Sequence, residues 1–148
     1  MSIIEQSYYY KIIEGHDIDY NVIGKRINDE DFSGIYLQCD ESDAMRYLEH
    51  KTNMSTSNKI MLVRFKLNLD YYLLDENIIG CHKIKQEDKV EIIKKLLFNK
   101  YNITIHNKLI LSLDKPLKVI ELVDEHIFEL IIPHHLFNET NLSHATIL

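Results

Sequence analysis

Hydrophobic and polar side chains alternate most regularly over residues 60–69. Met61, Val63 and Phe65 fall on one side of an extended chain, while Arg64 and Lys66 fall on the other. A period of two residues is typical of a strand with one buried face. The pattern therefore predicts a half-buried β-strand.

A helical period replaces this alternation over residues 86–99. Val90, Ile93 and Leu97 share one face of a helix, acidic residues open the segment and lysines close it. Glu91 and Lys95 are four residues apart, as an ion pair within a helix requires. The pattern predicts an amphipathic helix.

Shorter apolar runs complete the predicted arrangement. We expect further strands over residues 8–13, 34–39, 103–106, 109–113, 117–123 and 127–132, a second helix over residues 41–51, and polar loops over residues 16–33 and 52–58. Pro116 and Pro133 punctuate the C-terminal runs, which follow one another without helices between them. Such an order is typical of an α+β fold rather than a doubly wound parallel sheet. The absence of a repeat or linker predicts a single domain over residues 1–148.

Composition and charge disfavour several classes of function. A net charge of −6 opposes non-specific nucleic-acid binding and docking on anionic membranes, both of which need clustered cations. Cys39 and Cys81 are too few for a disulfide framework and are expected to stay reduced. No apolar run approaches the roughly 20 residues of a membrane span, and the first residues lack signal-peptide features. We expect a cytoplasmic protein, or one delivered to a host cytoplasm without a conventional signal peptide.

Residues 34–47 combine a short strand, a tight exit and the start of a helix. Aromatic and β-branched residues favour a pleated segment at the beginning, and Asp40 is a preferred residue for capping the helix that follows. Ala44 and Tyr47 then fall on one helical face. Gly34, at the entrance to the strand, allows another group to approach the backbone closely.

These residues resemble the middle motif of the ADP-ribosyltransferase superfamily, and in particular of its poly-ADP-ribose polymerase branch. That motif reads Gly-Ile-Tyr-Phe and is followed by a serine and a second tyrosine; here residues 34–37 read Gly-Ile-Tyr-Leu, followed by Ser42 and Tyr47. The resemblance implies that NAD binds at this segment, with Gly34 close to it. It implies that Tyr36 and Tyr47 hold the nicotinamide ring between them and that Ser42 binds the carboxamide. It also implies an ADP-ribosyltransferase-like split β-sheet with a few flanking helices.

Transfer of ADP-ribose breaks the bond between ribose and nicotinamide through a cation-like transition state, which a nearby carboxylate stabilises. Glu129 interrupts the apolar run over residues 126–133, where a carboxylate is costly unless it meets a partner or a cleft. The run resembles the third motif of the family, so the resemblance implies that Glu129 is catalytic. Strand alternation leaves open that Glu129 lies on a solvated face. Glu121 and Glu125 are alternatives without the same apolar run after them.

The strand over residues 8–13 corresponds to the first motif of the family, in which a histidine or arginine holds a ribose or a phosphate. Here the position falls on Tyr10 or Lys11, since His16 lies beyond Gly15. A tyrosine hydroxyl can bond a ribose, and a lysine can hold a phosphate. The expected function is NAD-dependent transfer of ADP-ribose to a protein or other macromolecular acceptor. Because this strand departs from the pattern of the family, two alternatives stay open. One is a catalytically degenerate module of the same fold that binds a protein partner, and the other is an unrelated α+β domain.

Two other groups of residues lack the spacing of a recognised binding site. The histidines and Cys81 follow no recognised spacing of zinc ligands, so no metal site is predicted. Residues 24–26, Gly-Lys-Arg, lack the spacing of a phosphate loop and are expected to lie in a solvated loop.

Overall fold

The computed structural model describes residues 7–14, 30–54, 60–67, 70–76, 78, 81, 83–120, 128–137 and 145–147. Its strands are β1 (Ser7–Glu14), β2 (Ile35–Gln38), β3 (Ile60–Leu67), β4 (Tyr72–Leu74), β5 (Leu117–Ile120), β6 (Phe128–Ile132) and β7 (Ala145–Ile147). Its helices are α1 (Glu41–Met54) and α2 (Gln86–Tyr101), with short 3-10 turns at Glu30–Phe32, Ile110–Ser112 and His134–Leu136. A mostly antiparallel sheet with two helices confirms the predicted α+β class.

The two most regular sequence patterns form the elements that they predict. The alternation over residues 60–69 corresponds to β3, and the helical pattern over residues 86–99 corresponds to α2. The helix ends where Asn102 adopts the left-handed conformation, with φ of 57°, and donates its N–H to the carbonyl oxygen of Phe98 at 2.9 Å. Asparagine tolerates this conformation, which satisfies one of the last carbonyls of the helix.

Two of the predicted C-terminal strands are wrong. Residues 103–106 are irregular, and residues 109–113 contain a 3-10 turn. Leu109, Ile110 and Leu113 are all buried in one apolar cluster. A helical turn can direct them to the same side, whereas a strand would point adjacent residues to opposite faces. The apolar residues of 103–106 pack against the same cluster without pairing to another strand of the described chain.

In the described part of the chain the strands form one seven-stranded sheet, in the order β4-β5-β6-β2-β1-β3-β7. Neighbouring strands are antiparallel except for β4 and β5. Whereas β1 pairs with β3 along its whole length, β1 and β2 share a single registered pair, Tyr10 with Gln38. We call this narrow junction the seam. The sheet is continuous through the seam, so the predicted split is not present as a gap in the pairing.

Both helices lie on the same face of the sheet, which we call the helical face. Ala44 of α1 packs with Leu62 of β3, and Ile93 of α2 shares a buried cluster with Leu117 of β5. The register of the intervening strands places Leu62 and Leu117 on one face. The opposite face carries a separate cluster that includes Phe137. Neither helix, nor any other in the described residues, has the length and apolar character needed to cross a membrane.

Gly34 lies immediately before β2, where the chain packs tightly against its neighbours. A Cβ atom at this position would lie 2.9 Å from Cγ2 of Ile131, 3.0 Å from the carbonyl oxygen of Ile132 and 3.2 Å from Cγ2 of Ile110. The close approach that the sequence predicts is therefore made by the protein's own residues. This gives Gly34 a packing role.

We expect the substitution Gly34→Ala to destabilise the fold by about 1–3 kcal/mol, because the added methyl group forces buried neighbours apart. Ser112→Ala, at an exposed position of the adjoining 3-10 turn, is the matched control and is expected to change stability by no more than about 0.5 kcal/mol. Urea unfolding followed by circular dichroism measures both effects. Equal unfolding midpoints for the two variants would contradict the packing role.

Candidate functional site

Three polar side chains form a row across the middle of the helical face. Tyr10 of β1 is directly opposite Gln38 of β2, and Gln38 is directly opposite Glu129 of β6. Residues that are directly opposite on paired strands point to the same face of the sheet. The row therefore crosses three adjacent strands and passes through the seam. These strands are the ones that carry the three predicted motif segments.

The structure distinguishes between the two candidates on the first strand. Tyr10 is buried and lies on the helical face, on the same side as Glu129. Lys11 follows it in an extended chain and therefore points to the opposite face. The amine of Lys11 donates a hydrogen bond to the carbonyl oxygen of Tyr36 at 3.0 Å. Lys11 thus bridges the seam, and only Tyr10 reaches the row.

Tyr36 lies two residues before Gln38 in β2 and shares its face of the sheet. The Tyr36 hydroxyl donates to the carbonyl oxygen of Phe32 at 2.6 Å, and its ring packs against the cluster that contains Ile131. The ring is half-buried, so one part of it remains accessible. Its orientation is fixed by both contacts.

The other two predicted nicotinamide contacts lie on α1. Ser42 is exposed in the first turn, and its N–H donates to Oδ1 of Asp40 at 2.9 Å, which confirms Asp40 as the cap of the helix. Tyr47 lies one turn further along, and its side chain is 44% exposed. Because α1 covers the helical face, Ser42, Tyr47 and Tyr36 all belong to the same side of the sheet.

Glu129 is buried, with 8% of its surface exposed. The alternative that strand alternation places it on a solvated face is therefore wrong. Its neighbours in β6, Leu130 and Ile131, are both fully buried. A carboxylate among such residues loses most of its hydration and requires polar or charged groups around it. Gln38, the residue opposite, is such a group, and its Oε1 atom is buried without a hydrogen-bond donor among the described residues.

Negative charge accumulates where β2 leaves the sheet. Burial raises the pKa of the half-buried Cys39 thiol to about 12, and the charges of Glu129 and Asp40 act in the same direction, against the charge of Lys118. Burial also raises the pKa of the Tyr10 hydroxyl, as does the nearby carboxylate of Glu41. The row therefore lies in an acidic environment, in which neutral thiol and phenol groups are favoured.

Arg64 is a member of the site that sequence reasoning did not select. It is directly opposite Tyr10 in β3, on the helical face, and its charge lowers the pKa of Tyr10 in opposition to burial and Glu41. Its guanidinium lies 4.8 Å from the centre of the Tyr8 ring. The alternation over residues 60–69 identified Arg64 as a polar position. Its neighbours depend on the register between β1 and β3, which the sequence does not reveal.

Two pockets in the described part of the chain are lined by residues outside the row. One pocket of about 300 Å³ lies between the end of β4 and α2 and is lined by Leu73, Asp75, Leu96 and Tyr101 among others. Within its lining, the Tyr101 hydroxyl accepts a hydrogen bond from the N–H of Leu73 at 2.7 Å. A shallow depression of about 360 Å³ lies along α1, next to Met45. None of the sequence-predicted site residues lines either of them.

The remaining sequence candidates do not form a site among the described residues. No group of three or more His, Cys, Asp or Glu side chains there is arranged to hold a metal ion. His135 contacts the carbonyl oxygen of Leu113 at 3.1 Å. The Gly-Lys-Arg sequence at 24–26, Glu121, Glu125 and His126 lie outside the described residues.

Comparison of the chain with protein families, with curated proteins and with solved structures found no match. The functional conclusions below therefore rest on the seam, the row and their charges.

The reactivity of Cys39, which packs against the cluster on the opposite face, tests whether burial and the charges at the end of β2 keep its thiol uncharged. In a Cys81→Ser background, we expect iodoacetamide at pH 8 to modify the folded protein about a thousandfold more slowly than the urea-unfolded chain, because a pKa of about 12 in place of 9.0 depletes the thiolate. Adding Glu129→Gln removes one of the charges that raise this pKa and should accelerate the reaction. Equal rates in the folded and unfolded protein would show that the thiol is not shielded.

Proposed function

We propose that this protein has an ADP-ribosyltransferase-like fold and transfers ADP-ribose from NAD to a macromolecular acceptor, most simply a protein. One observation carries the proposal: the three strands that bear the predicted motifs lie side by side as β1, β2 and β6, with Tyr10, Gln38 and Glu129 in one row. Strand pairing brings these residues, which are far apart in sequence, onto one face of the sheet. The narrow seam supports the fold assignment, because the two halves of the continuous sheet are joined there by one registered pair.

In this proposal the tyrosines and Ser42 bind the nicotinamide end of NAD. Tyr36 offers a ring fixed by its hydroxyl bond to Phe32, and Tyr47 offers an exposed ring on the helix above the same face. Two aromatic faces hold a flat heterocycle well, because stacking adds to the burial of its surface. The hydroxyl of Ser42 is exposed and available to bond the carboxamide.

Glu129 acts on the ribose. The bond between the nicotinamide nitrogen and C1 of the ribose breaks, and its electron pair leaves with nicotinamide. The positive charge that develops on the ribose is stabilised by the carboxylate, whose effect is strong because its site is buried. The nucleophilic atom of the acceptor then bonds to C1 and gives its proton to Glu129. Gln38 and Tyr10, next along the row, bond ribose hydroxyls.

The proposed setting of the reaction is a cytoplasm, either the producing cell's own or that of a host. Cys39 and Cys81 are both free thiols. Free cysteines are typical of reducing compartments.

A second candidate function is a catalytically degenerate module of the same fold that acts by binding a protein. It is favoured by the charges at the row, since Asp40, Glu41 and Glu129 oppose the approach of an anionic dinucleotide. It is also favoured by Lys11, whose amine is engaged at the seam and faces away from Glu129. The two candidates differ in whether the protein binds and consumes NAD.

The substitution Glu129→Gln separates these candidates, because it keeps the shape of the side chain and removes its charge. If the proposal is right, the wild-type protein releases nicotinamide from NAD, and the variant does so about 100-fold more slowly or worse while its affinity for NAD changes little. Glu49→Gln, at an exposed position of α1, is the matched control and should retain full activity. Nicotinamide release is measured by chromatography with a cell lysate as the source of acceptor.

Two results would contradict the catalytic proposal. One is a Glu129→Gln variant whose turnover matches that of the Glu49→Gln control. The other is a wild-type protein that neither binds NAD at millimolar concentration nor releases nicotinamide, which favours the binding module.

Tyr47 provides an independent test of the nicotinamide site, because its side chain is 44% exposed and its truncation should disturb the fold less than that of the half-buried Tyr36. We expect Tyr47→Ala to weaken NAD binding about 2- to 12-fold, the range given by the loss of one aromatic stacking contact. Met45→Ala removes an apolar side chain of similar exposure, 48% against 44%, from the same helix and should leave binding unchanged. Calorimetry measures the affinity of both variants for NAD. Equal losses of affinity would show that the effect of Tyr47→Ala is not specific to a nicotinamide contact.

A further inference from the structure

The row has an imbalance of charge that the proposed function must overcome. Asp40, Glu41 and Glu129 bring negative charge to it, and the pyrophosphate of NAD is itself anionic. An anionic ligand in such a place requires at least one cation that faces it. Lys11 points to the opposite face and is bonded to the carbonyl oxygen of Tyr36, so the required cation must come from elsewhere.

Arg64 is placed to supply that charge. It lies on the helical face, directly opposite Tyr10, and its other neighbour across the sheet is the exposed Thr146 of β7. The row of polar residues therefore continues from Glu129 through Gln38 and Tyr10 to Arg64. Its charge already acts on the Tyr10 hydroxyl. Among the described residues, it is the cation that faces the row next to Tyr10.

The guanidinium of Arg64 is also held in position. It lies 4.8 Å from the centre of the Tyr8 ring, and the side chain is half-buried. Contact with an aromatic face restricts the side chain before any ligand binds and leaves the N–H groups at the guanidinium edge available. A planar fork of donors matches two oxygens of a phosphate group.

The length of the row fits a ligand that spans it. Glu129 and Arg64 lie on strands separated by β2 and β1, so their Cα atoms are about 14 Å apart at the usual spacing of paired strands. Tyr10, between them, is buried against Ala44 of α1, so a dinucleotide whose ribose lies at Glu129 would pass beside α1 to bring its phosphates within reach of Arg64.

We infer that Arg64 binds the pyrophosphate of the dinucleotide, so that β3 supplies the cation that β1 does not present on the helical face. This inference rests on the proposed function, because it takes the ligand of the row to be NAD. It gives Arg64 a binding role in specificity for a phosphate-bearing ligand, distinct from the chemistry at Glu129.

The test compares ligands that do and do not carry phosphates. Arg64→Gln should weaken binding of NAD and of ADP-ribose roughly 10- to 100-fold, the loss expected for a charged hydrogen bond, while leaving nicotinamide binding unchanged. Arg64→Lys keeps the charge without the planar fork and should lose less. Lys66→Gln is the matched control, because Lys66 is an exposed cation on the same face, opposite Tyr8, and its loss changes the net charge equally. Lys66→Gln should leave all three affinities within about twofold. Urea unfolding of each variant confirms that the fold is intact.

The outcomes separate this inference from the proposed function. If the wild-type protein binds NAD and Arg64→Gln binds it as well as Lys66→Gln does, the inference is overturned and the proposed function stands. If the wild-type protein does not bind NAD but binds ADP-ribose or inorganic pyrophosphate in a manner that Arg64→Gln abolishes, Arg64 is an anion site and the proposed function fails. If it binds none of these ligands, both are overturned.

Discussion

The seam between β1 and β2 is the constraint on which the site depends. The two halves of the sheet meet through a single registered pair, Tyr10 with Gln38. Backbone groups left without a ladder partner must find others, and the Lys11 amine satisfies one of them by bonding the carbonyl oxygen of Tyr36. If β1 and β2 paired over more residues, backbone hydrogen bonds between the strands would satisfy the carbonyl oxygen of Tyr36, and the Lys11 amine would not be needed there. The seam therefore fixes which side chains of β1 and β2 face each other, and with them the position of Glu129 on the next strand.

The residues that resemble the middle motif serve the fold as well as the proposed site. Gly34 lets Ile131 and Ile110 pack so closely that an added Cβ atom would lie 2.9 Å and 3.2 Å from their Cγ2 atoms. The hydroxyl of Tyr36 holds the turn that carries Phe32. Because these residues also stabilise the fold, their presence alone does not distinguish an enzyme from a protein without catalytic activity. The buried carboxylate of Glu129 is different, because packing alone gives no reason to place a charge there.

The balance of charge decides between an enzyme and a binding module. Carboxylates converge where β2 ends, and two cations on other strands oppose their effect: Lys118 of β5 acts on the Cys39 thiol and Arg64 of β3 on the Tyr10 hydroxyl. An anionic dinucleotide is accommodated only if its phosphates lie on the side of the row that Arg64 occupies. A protein partner with a basic surface would instead be attracted to the carboxylates. The same arrangement therefore supports either function, depending on how far Arg64 offsets the acidic groups.

The sequence by itself determined the elements with strong local patterns. The alternation of β3, the period of α2 and the cap at Asp40 are all set by neighbouring residues, and the structure contains each of them. Glu129 was also identified locally, as a charge within an apolar run. Residues 103–113 were misassigned because a short apolar run does not show whether it pairs with another strand or packs as a turn.

The tertiary structure decided everything that depends on register. The pairing of distant strands determines whether Tyr10 or Lys11 shares a face with Glu129. It also determines whether Glu129 is solvated or buried and which residue lies opposite Tyr10. A shift of one residue in any of these pairings would move every side chain of the shifted strand to the other face of the sheet. Gln38 and Arg64 were passed over for the same reason: each is an ordinary polar position of its own strand, and only strand pairing places both in the row.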